Sequence, residues 1–218
     1  APEVDARVLA GMQTAGNDTV TAYDVDETLD GGTGNDLLSG RKGGDTYIFG
    51  RGYGADRVED LGDTSVTPAD TVIFKADISP GDVVLSRSGP GNRLDLVMTI
   101  AGTSDSLTIV NQFYQVVDNG YYTDDRVELF RFADGTVWTA AEVDAAVVRA
   151  QATSGNDLIT SFELNETLDG GAGNDTLTGF AGADTYMFGR GYGADQVDDS
   201  GTSLGDIVLF KPGISLAD

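Results

Sequence analysis

Cysteine and histidine are both missing from the 218 residues. Without them the chain has no disulfides, no thiolate nucleophile, no Ser-His-Asp or Cys-His machinery and none of the usual ligands for zinc, copper or haem. Any metal it binds must therefore be a hard, oxygen-seeking ion. Positive charge is also scarce: 13 Lys and Arg face 36 Asp and Glu, for a formal net charge of −23. The few basic residues form no stripe able to track phosphates, so nucleic acid is disfavoured and cations are the natural partners. No apolar run reaches the roughly 18 residues of a membrane span. The opening APEVDARVLAG has neither the basic nor the apolar region of a secretory signal. These absences lead us to expect a soluble piece of a longer polypeptide whose export signal lies elsewhere.

What is abundant is glycine, 30 residues, placed periodically. GGTGNDLLSGRKGGDTYIFGRGYGADRV, from Gly31 to Val58, returns as GGAGNDTLTGFAGADTYMFGRGYGADQV from Gly170 to Val197, a displacement of 139 residues. Each copy contains a nine-residue beat of the form GGxGxDxUx, with U a large apolar residue. The first copy reads 13–21, 22–30, 31–39 and 40–48, skips Phe49 and Gly50, and resumes at 51–59. The second reads 152–160, 161–169, 170–178, 179–187 and 190–198, with the same skip at Phe188 and Gly189. The U positions are Val20, Leu29, Leu38, Tyr47 and Val58, then Ile159, Leu168, Leu177, Tyr186 and Val197. Such regular placement predicts burial, with each xUx triplet a very short strand and each glycine-rich half a tight turn.

One turn reverses the chain once, so two nonapeptides complete a coil and turn n stacks on turn n+2, giving a parallel β-roll. Position-six carboxylates on stacked turns then lie about 5 Å apart, the spacing of adjacent strands. A bound cation turns that repulsion into attraction. Ca²⁺ accepts six to eight oxygens, which carbonyl-lined turns with one acid each can provide, whereas Mg²⁺ prefers a smaller octahedron and keeps its waters.

At these residues the sequence resembles the RTX family, the haemolysin-type calcium-binding repeats of proteins exported by Gram-negative type I secretion. The resemblance covers residues 13–59 and 152–198. The stretch between them resembles the haemolysin-type calcium-binding-related domain, through DTYIFGRGYGADRVED, DTVIFKADI, RLDLVMTI, LTIVNQFY and VELFRFADGTVWTAAEV. What the repeat resemblance implies is a Ca²⁺ held by the carbonyls of positions two and four and the position-six carboxylate of one turn. The carbonyls of positions one and three and the acid of the turn above complete it.

That scheme implies three sites per copy. One joins Thr14, Gly16 and Asp18 to Gly31, Thr33 and Asp36. A second joins Gly32, Gly34 and Asp36 to Arg51, Tyr53 and Asp56, with Asp36 bridging two ions. The opposite edge pairs Tyr23, Val25 and Glu27 with Gly40, Lys42 and Asp45. In the second copy the implied ligands are Thr153, Gly155, Asp157, Gly170, Gly171, Ala172, Gly173, Asp175, Arg190, Tyr192 and Asp195, with Glu166, Gly179, Ala181 and Asp184 on the opposite edge. That edge departs from the pattern, because 22–27 lacks glycine, position six is Glu, and position two of the partner turn is Arg41 or Phe180. Bulky residues there disfavour a left-handed backbone. Lys42 is tolerable, since position three offers its carbonyl and the side chain can face solvent.

Other groups have competing readings. Glu59, Asp60, Asp63 and Asp70, like Asp198, Asp199 and Asp206, either cap the roll with a further calcium or form a solvated loop entering DTVIF or DIVLF. Asp118, Asp124 and Asp125 read as turn residues, and Asp134-Gly135 as a hairpin turn. Leu94, Leu96, Met98 and Ile100, then Leu107 and Ile109, then 127–132, read as antiparallel strands. Thr139 and Glu142 form a capping box that starts a helix running to about Arg149. Phe113, Tyr114, Tyr121, Tyr122 and Trp138 are either core filler or a sugar platform. GRGYGAD is no dinucleotide fingerprint, because the nine-residue period runs through it.

The expected fold is all-β, with parallel β-rolls at 13–60 and 151–199 flanking a small antiparallel β domain with one short helix at 61–150, and a second, truncated β domain beginning at 200–218. The expected function is a calcium-binding module of a large secreted bacterial toxin, adhesin or surface-layer protein that folds on extracellular Ca²⁺. A glycan or cell-surface recognition module, or an accessory domain of a secreted hydrolase or epimerase, are the alternatives. Expected partners are calcium ions, about three per roll, and neighbouring tandem modules. No catalytic residue is expected.

Overall fold

The computed structural model describes residues 13–60, 69–88, 94–113, 115–118, 121–124, 126–162, 164–199 and 205–215. Asp63, Tyr114 and Asp125 lie outside them, as do the side chains of Asp118, Tyr121, Tyr122 and Asp124. The regular structure of the described residues is mostly strand, with parallel pairing in both repeat blocks and a single α-helix. They fall into two compact units, 1–143 and 144–218.

In the first unit every nonapeptide becomes a turn plus a strand: β1 (Thr19–Thr21), β2 (Thr28–Asp30), β3 (Leu37–Ser39), β4 (Thr46–Phe49) and β5 (Ala55–Glu59). Odd strands stack in one sheet and even strands in another, all parallel, as a nine-residue half-coil dictates. The register aligns Val20 with Leu38 and Leu38 with Val58, and Leu29 with Tyr47. All five U residues are at most 1% exposed. Each contributes about 1.5–3 kcal/mol of apolar burial, which short strands need because three residues of ladder are marginal alone.

The sheets do not stop at the end of the repeats. β6 (Thr71–Phe74) pairs in parallel with β4 and places Val72 in the column above Tyr47. β7 (Val83–Ser88), β8 (Asp95–Ile100) and β9 (Ser106–Ile109) form an antiparallel meander whose last strand adds in parallel to β5, setting Ile109 against Val58. β10 (Gln115–Asp118) and β11 (Tyr121–Asp124) make a separate hairpin. β12 (Leu129–Arg131) joins β6 in parallel, and β13 (Val137–Thr139) closes that sheet through the Asp134-Gly135 turn. The orders are β1-β3-β5-β9-β8-β7 and β13-β12-β6-β4-β2. The expected boundary at residue 60 is therefore crossed by both sheets, and the stretch after it continues the roll's hydrogen-bond ladders. Its strands are not purely antiparallel either, since β6, β9 and β12 each join a neighbour in parallel. Helix α1 (Ala140–Arg149) begins at Thr139, whose amide donates to Glu142 while its hydroxyl accepts from the Glu142 amide.

The second unit repeats the roll as β14 (Leu158–Thr160), β15 (Thr167–Asp169), β16 (Thr176–Thr178), β17 (Thr185–Phe188), β18 (Gln196–Asp198) and β19 (Ile207–Phe210), in sheets β14-β16-β18 and β15-β17-β19. Ile159, Leu168, Leu177 and Tyr186 are buried, but Val197 is 43% exposed, contrary to expectation. The reason is pairing: Val58 lies under β9, whereas β18 is an edge strand among the described residues.

Candidate metal sites in the stacked turns

The glycines shape the turns before any ion is considered. Gly32, Gly34, Gly171 and Gly173 have φ of 81°, 142°, 80° and 147°, backbone a side chain rarely adopts. Space also demands glycine. A Cβ on Gly34 would collide with the Gly16 carbonyl, one on Gly54 with the Gly34 carbonyl, and one on Gly173 with the Gly155 carbonyl. Position-four carbonyls are thus stacked directly beneath the glycine of the next turn but one. At position one, a Cβ on Gly31, Gly40, Gly170 or Gly179 would strike the carboxylate of its own turn's Asp36, Asp45, Asp175 or Asp184.

Position-six acids form a ladder along each edge. Asp36 Oδ1 accepts the Asp18 amide at 2.7 Å, Asp56 Oδ1 the Asp36 amide at 3.0 Å, Asp45 Oδ1 the Glu27 amide at 2.8 Å and Asp70 Oδ1 the Asp45 amide at 2.7 Å. In the second unit Asp175, Asp184, Asp195 and Asp206 accept from Asp157, Glu166, Asp175 and Asp184 at 2.8–3.1 Å. One oxygen of each acid is thereby satisfied. The second oxygens of Asp36, Asp56, Asp175, Asp184 and Asp195 are buried with no hydrogen-bond partner. An ionised oxygen orphaned in this way is costly, and a cation is the group that removes the cost.

The electrostatics agree. Burial, followed by the charge of stacked neighbours, raises Asp36 above the usual carboxylate range and pushes Asp56 up to about 7. Glu166 is pushed to about 7 by burial and then by Asp184, and Asp184 to about 6 by burial and then by Asp206 and Asp199. Hard oxygen donors, negative charge and carbonyls drawn together by glycine suit Ca²⁺.

The structure brings most of the sequence-nominated residues together. Thr14 and Gly16 lie beneath Gly32 and Gly34, while Gly31, Thr33 and Asp36 share the turn stacked on Asp18. Arg51, Tyr53 and Asp56 stack above that turn, where the Gly34 amide donates to the Tyr53 carbonyl. Thr153, Gly155, Asp157, Gly170, Gly171, Ala172, Gly173, Asp175, Arg190, Tyr192 and Asp195 repeat the arrangement. The terminal acids differ, because Thr14 engages both Asp18 oxygens and Thr153 both Asp157 oxygens within their own turns.

On the opposite edge, Glu27 stacks with Asp45, and Glu166 with Asp184. Gly43, at φ 126°, rides over the Val25 carbonyl. Arg41 and Phe180 were expected to resist the left-handed backbone, yet they adopt it, with φ of 72° and 62°. The turn geometry is imposed there by the ladder on either side, at a strain of about 1–2 kcal/mol. Lys42 faces solvent and pairs loosely with Asp24 at 3.8 Å.

Two sets of residues escaped the sequence reading. Position five, treated as variable, carries a second ladder: the amides of Asn35, Gly44, Ala55, Asn174, Ala183 and Ala194 donate to the side chains of Asn17, Asp26, Asn35, Asn156, Asn165 and Asn174. The recurrence of Asn or Asp immediately before position six was the available signal. Asp105 was also missed. Burial opposes its ionisation, but the amides of Gly52 and Gly54, at 2.8 and 3.1 Å, outweigh burial and hold it below the usual range. Among the aromatics proposed as a sugar platform, Phe113 is buried and Trp138 packs edge-on against Phe132 at 4.7 Å.

Residues 21–56 and 160–193 match the family described as RTX calcium-binding nonapeptide repeat (4 copies), and residues 95–142 match the haemolysin-type calcium binding protein related domain. The chain is also similar to the iron-regulated protein FrpA of Neisseria meningitidis serogroup C, 32% identical over 129 residues. That match covers 59% of this chain and 11% of the relative.

Proposed function

We propose, for a chain that carries RTX calcium-binding nonapeptide repeats in two blocks with a haemolysin-type calcium-binding-related domain between them, that calcium is its folding trigger. The chain is a calcium-binding repeat module. Our finer reading makes it a folding and spacing module of a large secreted protein of toxin, adhesin or surface-layer type, at the surface of a Gram-negative bacterium or outside it, with no turnover of its own. The observation that carries this is the row of buried, half-satisfied position-six carboxylates. Without cations they oppose the compact state, and with cations they stabilise it. Three ions per roll follow from the three pairs of stacked turns in each block.

In this reading the residues have separate tasks. Glycines at positions one, two and four admit the carboxylate and turn the carbonyls inward. Position-six acids bind through one oxygen while the other holds the amide of the turn two before. Bound calcium would supply the positive charge that neutralises each pair of acids. Calcium-binding sites of this extracellular class have Kd of order 10⁻⁴–10⁻³ M. At millimolar calcium each site then adds about 1 kcal/mol, so several together decide whether a chain of charge −23 folds. In this reading, scarcity of calcium inside the cell and plenty outside it is the control.

The test is circular dichroism of the whole chain in excess chelator and after titration with Ca²⁺. We expect little β signal in chelator and a cooperative gain on adding calcium, with calorimetry giving a stoichiometry near six, three per roll. Identical spectra in the two conditions would refute the folding role.

A further inference from the structure

The same loop stands in both units, covered in the first and open in the second. In the first unit Gly52 and Gly54 have φ of 77° and 91°. Their amides both donate to the Asp105 carboxylate, Gly52 to Oδ2 at 2.8 Å and Gly54 to Oδ1 at 3.1 Å. The strand behind that carboxylate then adds to β5: the Ser106 amide donates to the Gly54 carbonyl, the Val110 amide to the Val58 carbonyl, and β9 runs parallel with Ile109 opposite Val58. Leu107 and Ile109 are buried, as are Phe49, Phe74 and Ile78. Burial opposes ionisation of Asp105, yet the two amides, Thr103 and the charge of Arg51 together hold its carboxyl below the usual range. The loop is thus a receiver for an ionised carboxylate.

In the second unit the loop, residues 190–193, keeps this shape. Gly191 and Gly193 have φ of 80° and 103°. Arg190 Nε donates to the Gly213 carbonyl at 2.7 Å, as Arg51 Nε donates to the Asp77 carbonyl at 2.7 Å. The amides of Gly191 and Gly193 meet no acceptor among the described residues. Both glycines border an open cavity of about 400 Å³ whose other walls include Phe188, Phe210 and Ile214, the counterparts of Phe49, Phe74 and Ile78. β18 and β19 are edge strands among the described residues, and Val208 and Phe210 are 53% and 56% exposed where Val72 and Phe74 are buried. Preformed amide donors beside an apolar strand edge suit one carboxylate and the apolar strand that follows it.

We propose that this face of the second unit docks a β-strand headed by an aspartate, and that its occupant is the 105–110 segment of a second copy of this chain. The incoming carboxylate would lie on the Gly191 and Gly193 amides, the strand would add in parallel to β18, and Ile109 of the incoming copy would cover Val197. The first unit supplies the template. FGRGYGAD is identical in both loops, and Leu177 aligns with Val197 as Leu38 does with Val58. The chain's own 105–110 segment is engaged on β5, and DSLTIV occurs once in the 218 residues, so the strand comes from another copy. Charge-assisted hydrogen bonds to two amides fix the register, since a slip of one residue would turn the apolar side chains to the wrong face. The recognising groups are amides and apolar side chains, so the docking is a separate property from the binding of calcium.

The probe is a synthetic peptide of residues 103–111, TSDSLTIVN, blocked at both ends and titrated by calorimetry into the whole chain in saturating calcium. We expect one peptide bound per chain. A peptide carrying Asp105→Asn should bind at least about tenfold more weakly, the scale of a hydrogen bond to a charged group. Val197→Glu in the whole chain, at a position already 43% exposed, should abolish binding by setting a charge beneath the incoming Ile109. No binding of the parent peptide would overturn the proposal. Equal affinity of the two peptides would overturn it as well, because the strand edge would then be pairing without the carboxylate clasp. Undiminished binding to V197E would put the peptide elsewhere, in the place of β9 in the first unit, and would also count against the docking. The comparison of the two peptides uses the unaltered chain, so it decides the question even if V197E does not fold.

Discussion

At the scale of single residues, Arg41 and Phe180 occupy backbone that glycine holds in the other turns, at φ 72° and 62°. Replacing either with Gly should raise stability in saturating calcium by up to about 1 kcal/mol, since relief of strain exceeds the entropy that glycine adds to the unfolded chain. The urea midpoint measures this, and a lower midpoint for R41G would mean that the side chain itself supports the turn. Gly31 has the opposite sensitivity, although its φ is not positive. A methyl there collides with Asp36, so G31A should lose calcium affinity at both sites proposed to use Asp36. These residues mark where reading the sequence worked and where it did not. The Gly31 and Asp36 requirement was legible because both recur at fixed positions. The left-handed Arg41 was not, because local preference opposed it and only the ladder overrides that preference.

At the scale of elements, each turn is tied to the next but one by two parallel series of side-chain acceptors, one through position five and one through position six. The proposed bridging role of Asp36 makes a sharp prediction. Asp36→Asn should remove two ions from the calcium stoichiometry, whereas Asp18→Asn, at the outer end of the edge, should remove one. Equal losses would show that the sites are not shared along the edge. Asn35 both donates its amide to Asn17 and accepts from Ala55 at 2.8 Å. Asn35→Ala should therefore cost about 1 kcal/mol, the usual scale for one hydrogen bond, without changing ion number. The asparagine series was invisible as a series because its residue is also a common turn former, so composition alone assigned it no partner.

For the molecule as a whole, charge and pairing decide together. Asp56, Glu166 and Asp184 are raised by burial to about 7, 7 and 6, above the values of an unfolded chain. A raised acid binds its proton more tightly when folded, so without calcium the folded state gains as pH falls through about 7 toward 4 and loses that gain as pH rises. In metal-free buffer, circular dichroism should show more β structure at pH 5 than at pH 8. With calcium present the order reverses, because protons compete for the same oxygens. More structure at pH 8 than at pH 5 in the absence of metal would contradict the placement of these acids. The division of the chain was the least legible feature. Nine-residue spacing announces the rolls, but β9 and β12 join their sheets through partners tens of residues away, as in the Val58–Ile109 pairing, and no local period encodes such a contact.

The position-six ladder has a consequence for observing this protein in motion. The amide proton of Asp18 is retained by Asp36, that of Asp36 by Asp56, and that of Asp45 by Asp70. Deuterium uptake at each of these amides therefore reports the state of a turn later in the chain, not of its own. A time course of uptake along 18, 36, 27 and 45 would record, in order, which coil opens first as calcium is withdrawn.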